Sequence, residues 1–212
     1  MRDTDSWYNQ PFLCIDVETT GLNNKEHRII EIAWLIFHKE QIITKKNYLC
    51  NINQPIPSKI TKITGISSKM LEGKASFLAC VDELLMDMTK VNFFVAYNAS
   101  FDISFISAEF NKLNKQLPQK PWIDPLIFIK KIDRYKKGKK LTDAAIRWGI
   151  KLDNAHRALS DAKATGQLLY LLQKQLDCYD LEKLYKKQKQ WKIEQNKNYE
   201  NYLKRVKYPN LR

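Results

Sequence analysis

The order of hydrophobic patterns along the chain leaves few folds open to it. Three apolar, β-branched segments come first: FLCIDVET (12–19), RIIEIAWLIF (28–37) and IITKKNYLC (42–50). A polar turn joins the last two, so the three segments predict an antiparallel meander. Helical patterns and a further strand alternate after residue 50. This order predicts an α/β fold with a mixed sheet flanked by helices.

The later segments can be placed from their periodicity. VNFFVAYN (91–98) predicts a buried strand, and ASFDISFISAEFNKL (99–113) predicts the helix that follows it. PWIDPLIFIKKI (121–132) predicts a short extended piece and then a helix. Apolar residues also recur at helical spacing in SFLACVDELLMDM (76–88) and LTDAAIRWGI (141–150).

The last strongly patterned helix carries a carboxylate on its apolar face. Asp161 shares that face with small and apolar residues, namely Ala158, Ala162, Thr165, Leu168, Leu169, Leu172 and Leu176. An isolated buried carboxylate costs several kcal/mol unless it is protonated, paired or bound to a metal. The pattern therefore predicts a partner for Asp161.

Composition narrows the classes of partner. The 212 residues carry a formal net charge of +13, which favours a polyanion: nucleic acid first, an anionic membrane surface second. A basic surface without such a partner is the alternative. No apolar run approaches the roughly 18 residues of a membrane span, so no membrane insertion is expected.

The N-terminus and the cysteines bear on the compartment. Residues 1–11 are polar and lack the apolar stretch of a secretion signal. Cys14, Cys50, Cys80 and Cys178 are isolated, with no C-x-x-C spacing, which fits reduced thiols better than disulfides or a zinc site. We expect a cytoplasmic protein.

Four acidic residues lie near the ends of predicted elements. Asp16 and Glu18 are two residues apart on the first strand, so they project to the same face. Asp102 and Asp161 each begin a helix, where a capping acid is the simpler explanation. Gathered in one crevice, however, four carboxylates repel one another unless cations lie between them. Two divalent ions, Mg²⁺ or Mn²⁺, would offset this repulsion and suit in-line displacement at phosphorus.

One histidine fits the same site. His156 precedes Asp161 by five residues, about 140° away on an ideal helix, so we expect it in the turn before the helix. A neutral imidazole there can accept the proton of an attacking water molecule. A surface histidine is the alternative, and it is our interpretation of His27 and His38.

Five segments together resemble a known family. DVETTGL…RIIEIA, ITGI, YNASFDISFI, LTDAAIRWGI and HRALSDAKATGQLL look like the successive motifs of the DEDDh (DnaQ-like) 3′-to-5′ exonucleases, including polymerase III epsilon-type proofreading domains. The resemblance spans about residues 12–176. It implies a ribonuclease-H-like fold that hydrolyses nucleic acid from the 3′ end. The H-x-x-x-x-D spacing indicates the histidine branch of the family.

The resemblance also implies catalytic roles for individual residues. Asp16, Glu18 and Asp161 match the residues that hold the ion carrying the nucleophilic water. Asp16 also bridges to the second ion, near which Asp102 acts. His156 matches the general base.

Further positions of the resemblance concern the substrate. Thr19 and Leu22 fall where family members hold the terminal nucleotide, and Asn98 and Phe101 frame the second motif. Tyr97 is a departure, because many members have His directly before that Asn. The departure puts substrate preference in question more than activity.

The character of the chain changes near residue 177. We expect an exonuclease domain at 1–177 and a basic, aromatic-containing extension at 178–212, helical and peripheral. The extension carries ten Lys and Arg residues against four Asp and Glu residues. It and the segment KKIDRYKKGKK (130–140) are candidates for phosphate contact, and the extension is also a candidate docking site for a polymerase.

These observations predict a metal-dependent 3′-to-5′ exonuclease of the proofreading or repair type. We expect it to act on single-stranded ends, with DNA favoured, and to release nucleoside 5′-monophosphates. A 3′-end-trimming exoribonuclease of the same family is the first alternative. An inactive nucleic-acid-binding adaptor is the second. A homodimer is compatible with the sequence.

Overall fold

A computed structural model describes residues 6–152 and 155–207 of the chain. The five strands are β1 (Phe12–Thr19), β2 (Ile29–His38), β3 (Gln41–Leu49), β4 (Phe93–Val95) and β5 (Trp122–Ile123). The helices are α1 (Ser58–Thr64), α2 (Ser68–Leu71), α3 (Leu78–Thr89), α4 (Ser100–Lys112), α5 (Pro125–Ile132), α6 (Leu141–Arg147), α7 (Ala158–Leu176) and α8 (Leu181–Lys207). A short 3-10 helix at Trp7–Asn9 precedes β1.

The strands form one mixed sheet in the order β3-β2-β1-β4-β5. The pairs β1–β2 and β2–β3 are antiparallel, whereas β4 runs parallel to both β1 and β5. The predicted meander and the predicted α/β class with a mixed sheet are therefore confirmed. The strand expected at 91–98 is shorter than its apolar pattern, because the chain turns after Val95 to begin α4.

The sheet is covered on both faces, which explains why the inner strands are almost continuously apolar. One face packs against α5, α6, α7 and the first half of α8, and the other packs against α3 and α4. Strand β1 lies in the middle of this arrangement. Its C-terminal end meets the first turns of α4 and α7, so the fold brings three separate parts of the chain to one edge of the sheet.

The start of α8 is joined to the main body of the fold. Leu184 is fully buried and Gln188 is 7% exposed. Trp7 donates main-chain and indole N–H groups to the carbonyls of Tyr179 and Cys178, at 2.8 and 2.6 Å. The extension is helical up to residue 207, and its first turns contribute to the core. The domain boundary at residue 177 stays a prediction.

Parts of the predicted termini, at 1–5 and 208–212, lie outside the described residues. All four cysteines are buried and unpaired. Throughout the described ranges, no helix combines the length and apolar character that a membrane span requires.

Candidate active site

Strand β1 supplies the first two acids. Asp16 and Glu18 are partly buried and lie on the same face, while Val17 between them points to the opposite face and is 4% exposed. A register irregularity follows Glu18, where the strand ends. This end of β1 therefore presents two carboxylates together to the space before α7.

Helix α4 brings in the third acid. Asp102 is 2% exposed, and one of its carboxylate oxygens accepts the main-chain N–H of Val17 at 3.1 Å. The turn before α4 depends on Asp124, whose carboxylate accepts the N–H groups of Asn98 at 2.9 Å and Ala99 at 3.2 Å. Asp124 was missed in the sequence analysis, although it directly follows a strand and precedes a proline.

Helix α7 brings in the fourth acid. Asp161 lies in its first turn, and Oδ2 accepts the main-chain N–H of His156 at 3.1 Å. Its Oδ1 atom is buried and has no hydrogen-bond partner among the residues that the structure describes. Asp161 therefore has one oxygen available for a ligand. The apolar face predicted for this helix is observed.

Burial, with a smaller contribution from neighbouring carboxylates, raises the pKa values of these acids. Burial raises the pKa of Asp16 well above its usual range, and the carboxylates of Asp102, Asp161 and Glu18 add to the effect. Burial and the charge of Asp161 raise the pKa of Glu18 to about 8. Burial likewise raises the pKa of Asp161 to about 6 and that of Asp102 well above its ordinary value. The structure thus gathers all four predicted acids.

This donor set fits hard divalent cations. Its groups are carboxylates, which are the ligands that Mg²⁺ and Mn²⁺ prefer. Asp161 Oδ1 has no hydrogen-bond partner among the described residues, and the carboxylates of Asp102, Asp161 and Glu18 act on Asp16 through their charge. Ligand atoms of Glu18, His156 and Asp161 also lie within 4.8 Å of one another.

His156 lies where the sequence predicts it, in the turn before α7. It is exposed and has a left-handed backbone with φ of 61°. The main-chain bond to Asp161 holds this turn against the helix. The part of the preceding loop at 153–154 is outside the described residues.

A fifth carboxylate, which sequence reasoning missed, fixes the start of α7. Glu31 on β2 is fully buried and lies opposite Glu18 in the sheet register. It forms a two-pronged ion pair with Arg157, with N–O distances of 2.8 and 3.1 Å, and accepts the N–H of Ala158 at 3.1 Å. Asn47 donates to the same carboxylate. The signal in the sequence is an acid inside an otherwise apolar strand, RIIEIAWLIF.

An apolar pocket of about 490 Å³ opens beside Glu18. The predicted substrate residues Thr19, Leu22 and Phe101 line it, and Leu22 is 86% exposed. The Thr19 hydroxyl donates to the Gly21 carbonyl at 2.6 Å, which shapes the turn at the pocket mouth.

The structure adds other residues to this pocket. Ile60 and Ile63 come from α1, and His27, which we interpreted as a surface histidine, also lines it. No sequence signal distinguished the two isoleucines from core residues. Asn98, in contrast, is exposed in a left-handed conformation at the turn before α4 and is not among the pocket residues.

The sheet is ribonuclease-H-like, and Asp16 and Glu18 lie near the C-terminal end of its central strand. The exonuclease family model matches residues 13–169. The chain belongs to this family and carries a DEDDh (DnaQ-like) 3′-to-5′ exonuclease domain, so the predicted family is confirmed.

Three comparisons illustrate the relationship. The chain is 36% identical over 163 residues to the 3′-5′ exonuclease DinG of Bacillus subtilis (strain 168), covering 76% of this chain and 17% of that protein. It is 34% identical over 160 residues to a PolC-type DNA polymerase III of Streptococcus pyogenes serotype M18 (strain MGAS8232), covering 76% and 11%. The nuclease domain of 3′hExo, a DEDDh family member solved with rAMP, superposes with a TM-score of 0.67 at 19% identity, covering 82% of this chain and 96% of that one. The chain thus spans less than a fifth of the length of these two curated relatives.

Proposed function

We propose that the domain hydrolyses phosphodiesters from the 3′ end of single-stranded nucleic acid and releases nucleoside 5′-monophosphates, with DNA as the favoured substrate. The observation that carries this proposal is the junction of the four-acid cluster with the pocket beside Glu18. A phosphodiester adjoining a nucleotide in the pocket would lie at the carboxylates. An exposed pocket of this size suits an unpaired terminal base.

Asp16, Glu18 and Asp161 would hold one divalent ion, and Asp16 and Asp102 would serve a second. When bound, Mg²⁺ or Mn²⁺ would supply Lewis-acid chemistry for activating water and for stabilising the leaving oxygen. The carboxylates supply the binding charge, and the Val17 N–H fixes one oxygen of Asp102. Hydrolysis joins the oxygen of water to phosphorus and breaks the bond to the 3′ oxygen of the preceding nucleotide.

His156 is the proposed general base. Its ring is exposed and close enough to Glu18 and Asp161 for ligand atoms of all three to lie within 4.8 Å. A neutral imidazole accepts the proton of the attacking water. The Arg157–Glu31 ion pair in the next position holds the main chain of this turn, so the imidazole is presented from an anchored backbone.

Thr19, Leu22 and Phe101 are the proposed contacts for the terminal nucleotide. Phe101 offers an aromatic ring for stacking on a base, and exposed Leu22 can pack beside it. Asn98 is proposed to act at the edge of the same cleft. Apolar side chains and one hydroxyl make up this contact set, which suits recognition without strong base selectivity.

The preference for DNA rests on the PolC-type relative, which is a DNA polymerase III. A polymerase is therefore a proposed partner. The exoribonuclease alternative is supported by the ribonucleotide rAMP in the structure of 3′hExo. An inactive adaptor is disfavoured because Asp16, Glu18, Asp102, His156 and Asp161 are all present.

The test uses 5′-labelled single-stranded DNA and RNA of matched sequence, incubated with Mg²⁺, Mn²⁺ or EDTA. We expect a ladder that shortens from the 3′ end in either metal and no shortening in EDTA. Asp16→Ala is the inactive control. Binding without shortening in both metals would contradict the proposal, and a faster rate on RNA would replace DNA as the favoured substrate.

A further inference from the structure

Tyr97 joins the turn before α4 to a distant part of the chain. It directly precedes Asn98 and packs partly buried against the core that includes α6 and α7. Its hydroxyl donates to the main-chain carbonyl of Lys139 at 2.5 Å. A histidine at this position is shorter and does not extend its polar atom as far. Tyrosine in place of the usual histidine thus allows the hydrogen bond to Lys139.

The contact ends on a strongly basic segment between α5 and α6, residues 133–140, called here the basic loop. Its sequence is DRYKKGKK, with five cationic residues and one acid. The acid, Asp133, is already bonded to Arg147 at 2.9 Å and to the Trp148 indole at 3.2 Å. The loop therefore contains no free carboxylate to neutralise its lysines.

Side chains hold the carbonyl groups of this loop in place. Lys139 Nζ donates to the Asp133 carbonyl at 2.7 Å, and Arg147 donates to the Lys137 carbonyl at 3.0 Å. Gly138 has φ of +72°, and a Cβ there would meet the Asp143 carboxylate at 2.5 Å. The Tyr97 bond completes this set. The loop therefore has a defined shape instead of being a string of solvated charges.

Two lysines of the basic loop have no ion-pair partner among the described residues, which points to an anionic ligand. Lys136 and Lys137 are exposed and form no ion pair within 4 Å with any residue in the described ranges. At the cleft itself the charge is negative, and Arg157 is already paired with Glu31. A polyanion that extends from the acids to this loop would gain from its unpaired cations.

We propose that the basic loop binds phosphates of the single-stranded substrate upstream of its terminal nucleotide, and that Tyr97 is a positioning residue that ties the loop to the turn before α4. This inference rests on the proposed exonuclease function. In this proposal Tyr97 increases the affinity for longer strands, while the acids and His156 carry out the chemical step.

The first test removes two charges from the loop. Lys136→Ala/Lys137→Ala is compared with Lys39→Ala/Lys174→Ala, which removes two exposed charges at the far turn of the sheet and at the C-terminal end of α7. Binding of a 12-nucleotide oligodeoxythymidylate and its RNA counterpart is measured in EDTA over a range of salt concentrations. We expect the log–log salt slope to fall by about 1.4 in the loop variant, since each single-strand phosphate contact contributes about 0.7. Equal slopes in the two variants would overturn the inference.

The second test asks whether Tyr97 acts through the loop. For Tyr97→Phe we expect KM to rise about fivefold more on the 12-mer than on a dinucleotide, which corresponds to one lost hydrogen bond. Combined with the loop variant, the effect should be less than additive. Equal losses on both substrates, or full additivity, would contradict a role through the loop.

The two proposals fail differently. If the unaltered protein shortens neither substrate, the exonuclease function is wrong, yet the binding comparison in EDTA can still be made. If it shortens both but the loop variant retains the salt slope and KM of the matched control, only the role of the basic loop is wrong. Thermal unfolding of each variant separates a folding defect from these outcomes.

Discussion

Two carboxylates face each other across β1 and β2 in opposite environments. Glu31 is fully buried, yet an arginine, an asparagine and the first N–H of α7 all bond to it. Glu18 is more exposed, yet its partial burial, together with the charges of Asp161 and Glu31, raises its pKa to about 8. Burial alone therefore does not separate a structural acid from one that we propose to bind metal. The supply of protein partners separates them.

The largest expected effect is on activity, and it follows from removing the charge of Asp16, one of the acids on the β1 side of this comparison. Asp16→Asn should lower exonuclease activity by about 1,000-fold or more, because electrostatic stabilisation at the reacting phosphate is lost. In EDTA the same variant should unfold at the same or a higher urea concentration, since repulsion is relieved. Activity assays and urea titrations measure the two effects. Loss of stability in EDTA would show that Asp16 is needed for folding, contrary to the comparison.

Removing Glu31, the acid with protein partners, should instead lower the stability of the fold. Glu31→Ala leaves Arg157 and the Ala158 N–H without their acceptor and should lower the free energy of unfolding by about 2–4 kcal/mol. Glu31→Gln is the matched control, because it keeps an acceptor oxygen and the side-chain volume. We expect it to recover at least half of the loss in urea titrations. A neutral effect of Glu31→Ala would mean that the ion pair contributes nothing beyond its desolvation cost.

A smaller effect concerns pH and metal together. The pKa of Glu18 rises from its ordinary 4.5 to about 8 in the folded chain, so the folded state binds more protons than the unfolded state within that interval. In EDTA the free energy of unfolding should therefore fall as pH increases from 5 to 8, by on the order of 3 kcal/mol. Mg²⁺ should reduce this loss most at pH 8. Thermal unfolding at both pH values tests this, and equal stabilisation by Mg²⁺ at pH 5 and 8 would contradict it.

Much of the fold was predictable, because its elements have clear periodicities. The meander, the strand-helix alternation and the apolar face around Asp161 follow from spacing alone. The gathering of the acids was also predictable, since strand ends and helix starts tend to meet at one edge of a mixed sheet. The proposed roles of those acids remain to be tested.

Tertiary partners were harder to predict. Glu31 and Glu18 are both acids in apolar strands, and only the fold shows that Arg157 reaches one of them. Ile60 and Ile63 have the pattern of core residues, although they line an open pocket. The polar composition of α8 likewise gave no indication that its first turns pack against the core.

The way α8 is divided determines how the extension can be studied. Gln188 donates to the Trp122 carbonyl in β5 and accepts the N–H of Asp124 directly after it. Trp191 packs edge-on against Phe128, and Gln195 donates to the Ile127 carbonyl at 2.8 Å. A deletion that starts at Cys178 would therefore remove the contacts that cover β5. Unfolding of the domain could then not be distinguished from loss of a docking site in the extension. Shortening the helix beyond Gln195 leaves these contacts in place and isolates the outer turns.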